Sequence, residues 1–197
     1  TIGSLFNAGR IILLTFNKIS IYHKKDLRQL LSDFSFTLNE GDKVALIGEE
    51  GNGKSSLLKW IYDPGLVEDY LEVSGSVNRE GVIFGYLPQE FPEKYREIGV
   101  YEYLLRDITF PETVPMRIHR ICGDIPVDEG LIYSDRKMGT LSGGEKIKIQ
   151  MVALMLKEPD IYLLDEPSND IDLETLIWLE RFITENSRPV IFVSHDE

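Results

Sequence analysis

The chain has 197 residues, 43% of them apolar and 27% charged, enough for one sizeable core or a core with a small lobe. Its 21 Lys and Arg against 33 Asp and Glu give a net charge of −12, which argues against this segment wrapping nucleic acid by itself, because phosphate binding is driven by basic patches. One cysteine, Cys122, excludes an intramolecular disulfide and suits a reducing cytoplasm, and no apolar run approaches the ~18 residues needed to span a bilayer.

Thr1 to Arg10 carry no signal-peptide pattern and no clear period, and read as a frayed leader or an expression scar. Ile11 to Tyr22 is rich in β-branched and aromatic residues and predicts a strand. Leu30 to Leu38 alternates, as in Phe34-Ser35-Phe36-Thr37-Leu38, and predicts a second strand before the turn Asn39-Glu40-Gly41-Asp42. The stretch Lys43-Val44-Ala45-Leu46-Ile47 predicts a short buried strand. A glycine-rich turn comes next, then a helix from Lys54 to Tyr62 that Asp63-Pro64-Gly65 stops. Val82 to Leu87 predicts another strand, ending at Pro88-Gln89. From Phe91 to Gly139 short helical pieces, Val100 to Arg106 and Val114 to Cys122, are separated by Pro and Gly. They predict a small helical subdomain inserted in an α/β core; with the next helix it spans about residues 91–157.

Ser142-Gly143-Gly144-Glu145 has the spacing of a capping box, with Ser at N-cap and Glu at N3. Ile147, Met151, Leu154 and Met155 would share one face of the helix it starts. Ile161 to Leu164 is continuously apolar, as expected of a parallel strand buried on both faces. Leu173 to Ile183 predicts an amphipathic helix and Val190 to Val193 a further buried strand. Strands alternating with helices imply a parallel sheet with right-handed crossovers.

Three motifs carry chemistry. Gly48-Glu49-Glu50-Gly51-Asn52-Gly53-Lys54-Ser55 is G-x-x-x-x-G-K-S between a strand and a helix. Successive backbone N–H groups of such a turn point into one concavity, and the helix start adds positive potential, so it cradles a di- or triphosphate. Lys54 would reach the β- and γ-phosphates, and the Ser55 hydroxyl would ligate Mg²⁺. In Ile161-Tyr162-Leu163-Leu164-Asp165-Glu166-Pro167, Asp165 fits a carboxylate that holds Mg²⁺, usually through water, and Glu166 a general base. Alone, the pair would read as two acidic residues ending a strand. Leu141-Ser142-Gly143-Gly144-Glu145 is a capped helix start and also a second anion site, which one nucleotide per domain does not need unless it serves a facing domain. Gln89, and His195 in Val193-Ser194-His195-Asp196, would singly be structural or surface residues; their order after the other motifs raises them.

Taken in order, the phosphate loop, Tyr86-Leu87-Pro88-Gln89, Leu141-Ser142-Gly143-Gly144-Glu145, Asp165-Glu166-Pro167 and Ser194-His195-Asp196 resemble an ATP-binding-cassette ATPase from Ile11 onward. Gly85-Tyr86-Leu87-Pro88-Gln89-Glu90 and the stretch from Glu166 through Trp178 to Glu180 resemble the ABC-F class in particular. The resemblance implies an α/β P-loop NTPase domain over residues 11–197: a mostly parallel sheet core, an antiparallel β portion and the inserted helical subdomain. ABC-F proteins carry two cassettes on one chain and no membrane domain. They act in the cytoplasm, and many engage the ribosome in rescue, translational regulation or protection against antibiotics. The expected cofactors are ATP and Mg²⁺; the expected partners are a second cassette, on the same chain or in a homodimer, and the ribosome.

The resemblance also assigns roles. Tyr22 would stack on adenine, its alternative being a strand-end tyrosine at a sheet edge. Gly48, Glu49, Glu50, Gly51, Asn52, Gly53, Lys54, Ser55 and Ser56 would hold the phosphates, with Ser55, Gln89 and Asp165 at the metal. Glu166, Gln89 and His195 would serve catalysis, Gln89 sensing Mg²⁺ and water and His195 bonding the γ-phosphate. Leu141, Ser142, Gly143, Gly144 and Glu145 would act on the nucleotide of the partner cassette, and Ser168, Asn169 and Asp172 would lie in the loop between cassettes. The chain departs from the family at Glu50, usually Asn, and Asn52, usually small; an acidic group beside phosphates lowers affinity unless it points to solvent. Ser56 replaces Thr, as does Ser168, and Asp170 replaces His. The sequence stops two residues after His195, where a cassette normally continues, so the chain reads as a fragment, the first cassette of a longer protein. Two other readings share these motifs: the ATPase subunit of a membrane transporter, and a module that holds ATP without turnover.

Overall fold

The computed structural model describes residues 12–49, 51–109, 111–169 and 171–194. Strands β1 (Ile12–His23), β2 (Gln29–Asn39) and β4 (Leu71–Val77) form an antiparallel sheet in the order β2-β1-β4. Strands β3 (Lys43–Leu46), β5 (Phe84–Leu87), β6 (Ile161–Asp165) and β7 (Val190–Val193) form a parallel sheet in the order β3-β7-β6-β5. Helix α1 (Lys54–Tyr62) comes after β3. Helices α2 (Val100–Leu105), α3 (Val114–Cys122), α4 (Glu129–Ile132) and α5 (Gly143–Leu156) lie between β5 and β6, and α6 (Leu173–Glu185) joins β6 to β7. The fold is α/β, as the pattern predicts.

Side-chain alternation along the parallel strands divides the interior in two. Ile161 and Leu163 of β6, with Ile191 and Val193 of β7, join the core under α1 and the antiparallel sheet. Tyr162 and Leu164, with Val190, join the core of the helices α2 to α5. A strand buried on both faces must be apolar at every position, which is why Ile161 to Leu164 has no polar residue. Each fully buried side chain of this kind is worth about 1.5–3 kcal/mol.

Helices α1 and α3 and strand β7 have the bounds their sequences predict, and the other predicted elements agree within three residues. Two features differ. Strand β4 is not legible as a strand, because Leu71-Glu72-Val73-Ser74-Gly75-Ser76-Val77 is broken by small residues. Gly75 has φ 95°, and a Cβ there would lie 2.6 Å or less from the carbonyl oxygens of Asn17 and Lys18; a register shift in the β1–β4 pairing adjoins it. Helix α5 does not bury the one face expected of it. Ile149, Met151, Val152, Ala153 and Leu154 are all buried, whereas Ile147 and Met155 are partly so. The helix is packed by α2, α3 and β5 together, so its second half is surrounded. Among the described residues no helix is long and apolar enough to cross a membrane.

Candidate functional site

The loop after β3 turns through two left-handed glycines, Gly51 at φ 78° and Gly53 at φ 81°. Gly53 caps α1 through its backbone conformation alone, with no side-chain cap, and the first turn holds no acidic residue. The start of α1 therefore keeps its positive potential for an external anion. Lys54 folds back over the loop, its Nζ donating to the carbonyls of Gly48 at 2.6 Å and Glu49 at 2.8 Å.

A cavity of about 350 Å³ opens here, lined by Gly51, Gly53, Lys54, Ser55 and Ser56 of the loop and helix and by Gln89 and Glu166 from across the sheet. The Ser55 hydroxyl donates to Asp165 Oδ1 at 2.7 Å, and Tyr86 Oη donates to Asp165 Oδ2 at 3.2 Å. Burial of Asp165 at the end of β6 holds its carboxyl above the ordinary aspartate value, against the lowering effect of these two donors. Burial likewise raises the Tyr86 phenol. Glu166, also buried, has φ 49°, which turns the chain sharply after the strand. Its Oε2 accepts from Gln89 Nε2 at 2.7 Å and Asn169 Nδ2 at 2.8 Å. Two adjacent carboxylates thus have different neighbours: one meets hydroxyls, the other amides.

The residues of the third motif lie elsewhere. Ser142 Oγ accepts from the Glu145 N–H at 3.2 Å, and Glu145 Oε2 accepts from the Ser142 N–H at 2.8 Å, so the capping box is formed. Arg136 donates to both Glu145 oxygens and, with the Ser142 N–H, holds that carboxyl below the usual range. Leu141 is buried, and Gly143 opens the helix. Gly144 is packed against α6: a Cβ there would meet Asp172 Oδ2 at 2.2 Å. Asp172 itself is the N-cap of α6, accepting from Thr175 N and Oγ1, both at 2.9 Å. Ser168 is exposed beside Asn169.

Glu50, Asp170 and His195 lie outside the described residues. Tyr22 does not line the cavity. Beyond the register shift in β1 the inward positions are Ile19 and Ile21, so Tyr22 lies on the other face, where its hydroxyl accepts from Gln29 Nε2 at 3.0 Å. His23 and Tyr70, with ring centroids 6.4 Å apart, do line the cavity. Sequence reasoning also missed Arg28, which sits in an irregular charged turn with no spacing signal, and Tyr86, whose bond to Asp165 depends on the pairing of β5 with β6.

Residues 31–169 match the ABC transporter family. The chain belongs to that family. The cassette is 32% identical over 175 residues to the ATP-binding protein Uup of Buchnera aphidicola subsp. Acyrthosiphon pisum (strain APS), covering 85% of this chain and 28% of that one. It is 31% identical over 186 residues to the ribosome protection protein VmlR of Bacillus subtilis (strain 168), covering 86% and 29%. Both are ABC-F proteins, the class the sequence resembles. The cassette thus spans under a third of the length of these curated relatives. The solved structure of an ATP-binding subunit of an ABC transporter superposes with a TM-score of 0.73 at 24% identity, over 93% of this chain and 79% of the other, which shows the shared fold. Cassettes of this family are ATPases.

Proposed function

We propose that the cassette binds ATP with Mg²⁺ in the cavity at Lys54 and hydrolyses it as the first of two cassettes, in an ABC-F protein that engages the ribosome. The observation that carries this reading is the pairing of Ser55 with Asp165 at the same cavity that Gln89 and Glu166 line. Lys54 exchanges the carbonyls of Gly48 and Glu49 for oxygens of the β- and γ-phosphates, as the N–H groups of the loop surround them. The oxygens of Ser55, Asp165 and Gln89 are hard donors of the kind Mg²⁺ takes, and a site completed by phosphates and water needs no larger set of protein ligands. When bound, the metal would neutralise developing charge on the phosphates. Glu166 accepts the proton of the attacking water, and the amides of Gln89 and Asn169 orient its carboxylate. His195 is assigned to the γ-phosphate by the resemblance.

Leu141 to Glu145 serve the nucleotide of the second cassette, with Ser168, Asn169 and Asp172 near the boundary. Nucleotide held between the two cassettes closes them and hydrolysis reopens them, so this cassette alone turns over ATP poorly. Ribosome engagement in the cytoplasm is favoured by the likeness to VmlR. The test is co-sedimentation of the full-length protein carrying Glu166→Gln and its second-cassette equivalent with ribosomes. Pelleting that requires ATP is expected. ATP binding without pelleting would instead point to a transporter subunit.

A further inference from the structure

Arg28 belongs to no motif, yet it reaches the phosphate site. It lines the cavity of Lys54, Ser55 and Ser56, and its Nη2 donates to the carbonyl of Gly51 at 3.1 Å. The turn that carries it is fixed from several sides. The His23 N–H donates to the Arg28 carbonyl at 2.9 Å, the Lys24 N–H to the Tyr70 carbonyl at 2.9 Å, and the Arg28 N–H to Asp26 Oδ1 at 3.1 Å. A guanidinium so placed has a neutral carbonyl as its side-chain hydrogen-bond partner among the described residues, and it faces a phosphate site. The charge of Arg28 is felt by Asp26, whose carboxylate accepts from the Arg28 backbone N–H.

The phosphate loop gives this cation a task. Glu49 and Glu50 occupy two positions of its sequence, and acidic charge near a polyphosphate opposes its binding. Lys54 is a single counter-charge. The turn Lys24-Lys25-Asp26-Leu27-Arg28 carries three cations in a chain whose net charge is −12, and of these Arg28 lines the cavity. We infer that Arg28 is a phosphate contact of the bound nucleotide, which leaves Gly51 for the phosphate oxygens and offsets the acidic loop. The inference rests on the ATP reading above.

Isothermal titration of the purified chain with ATP and with adenosine, for the wild type, Arg28→Lys and Arg28→Gln, tests it. Loss of a charge-assisted bond predicts about tenfold weaker ATP binding by Arg28→Gln, shrinking as salt is raised. Arg28→Lys keeps the charge and should recover most of that affinity, and adenosine, lacking phosphate, should bind all three alike. Glutamine can still donate to the Gly51 carbonyl. Wild-type ATP affinity in Arg28→Gln, or equal losses in both variants, would therefore reduce Arg28 to a tether for the loop and overturn the inference. A wild-type chain that binds no ATP would instead overturn the functional reading itself.

Discussion

Two helices of this cassette begin at glycine-rich turns, and the turns are finished in opposite ways. The start of α1 has a left-handed glycine for a cap and no acid in its first turn. The start of α5 has a complete capping box, and Arg136 neutralises the acid that forms it. Both ends carry the same backbone dipole. In α5 the side chains of Ser142 and Glu145 engage two of the N–H groups at the start; in α1 no side chain caps the start, and a lysine is folded over the loop beside it. Glycine content alone does not distinguish the two. The residues beside the glycines do: Lys-Ser directly after them in one case, Glu three residues after Ser in the other.

The contrast breaks first if Lys54 does not matter. Lys54→Ala should lower the ATP affinity of the chain by ten- to a hundredfold, the loss of a hydrogen-bonded charge worth about 1.5–3 kcal/mol, read by titration. Next comes Gly144→Ala, which tests how tightly the α5 start is closed. A methyl group 2.2 Å from Asp172 Oδ2 must displace the cap of α6 or shift α5, at about 1–3 kcal/mol in urea unfolding, and the Thr175 amide should lose protection from hydrogen exchange. Ser142→Ala removes one half of the capping box and should cost ~1 kcal/mol by the same measurement.

Asp165 supplies a comparable but opposite effect. Its folded-state carboxyl titrates above the unfolded value, so the folded chain holds that proton more tightly. Its contribution therefore favours folding at low pH and is lost as pH rises from about 4 through the raised folded value. Asp165→Asn should flatten this part of the pH profile. At neutral pH it should stabilise the nucleotide-free chain by ~1 kcal/mol, the cost of a buried charge relieved. The same variant should bind Mg-ATP more weakly, so thermal shifts with and without nucleotide would move in opposite directions.

Much of this was legible because the signals are local. The run Ile161 to Leu164 announces a strand buried on both faces, and Ser142 with Glu145 announces a helix start, whatever surrounds them. The departures arise where a long-range partner decides. Strand β4 owes its existence to β1, and its Gly75 is needed because the carbonyls of Asn17 and Lys18 approach it. Tyr22 and His23 are neighbours in sequence, and a register shift upstream settles which of them faces the cavity. Helix α5 is enclosed because α2, α3 and β5 all reach it, which no period within the helix reveals. Within the site, the loop, Gln89 and the acid pair could be read from order and spacing, whereas Arg28 and Tyr86 enter through tertiary placement.

Strand β6 also constrains how such a cassette could be rebuilt. Its odd and even residues belong to different cores, so neither lobe owns the strand that ends in Asp165. Grafting the helical insert of a relative onto this sheet would require side chains that fit Tyr162, Leu164 and Val190. A mismatch there would be transmitted through one strand to Leu163 and Ile191 on the nucleotide side. The insert and the phosphate-binding half are therefore exchangeable only as a matched pair, with the shared strand as the part both must accept.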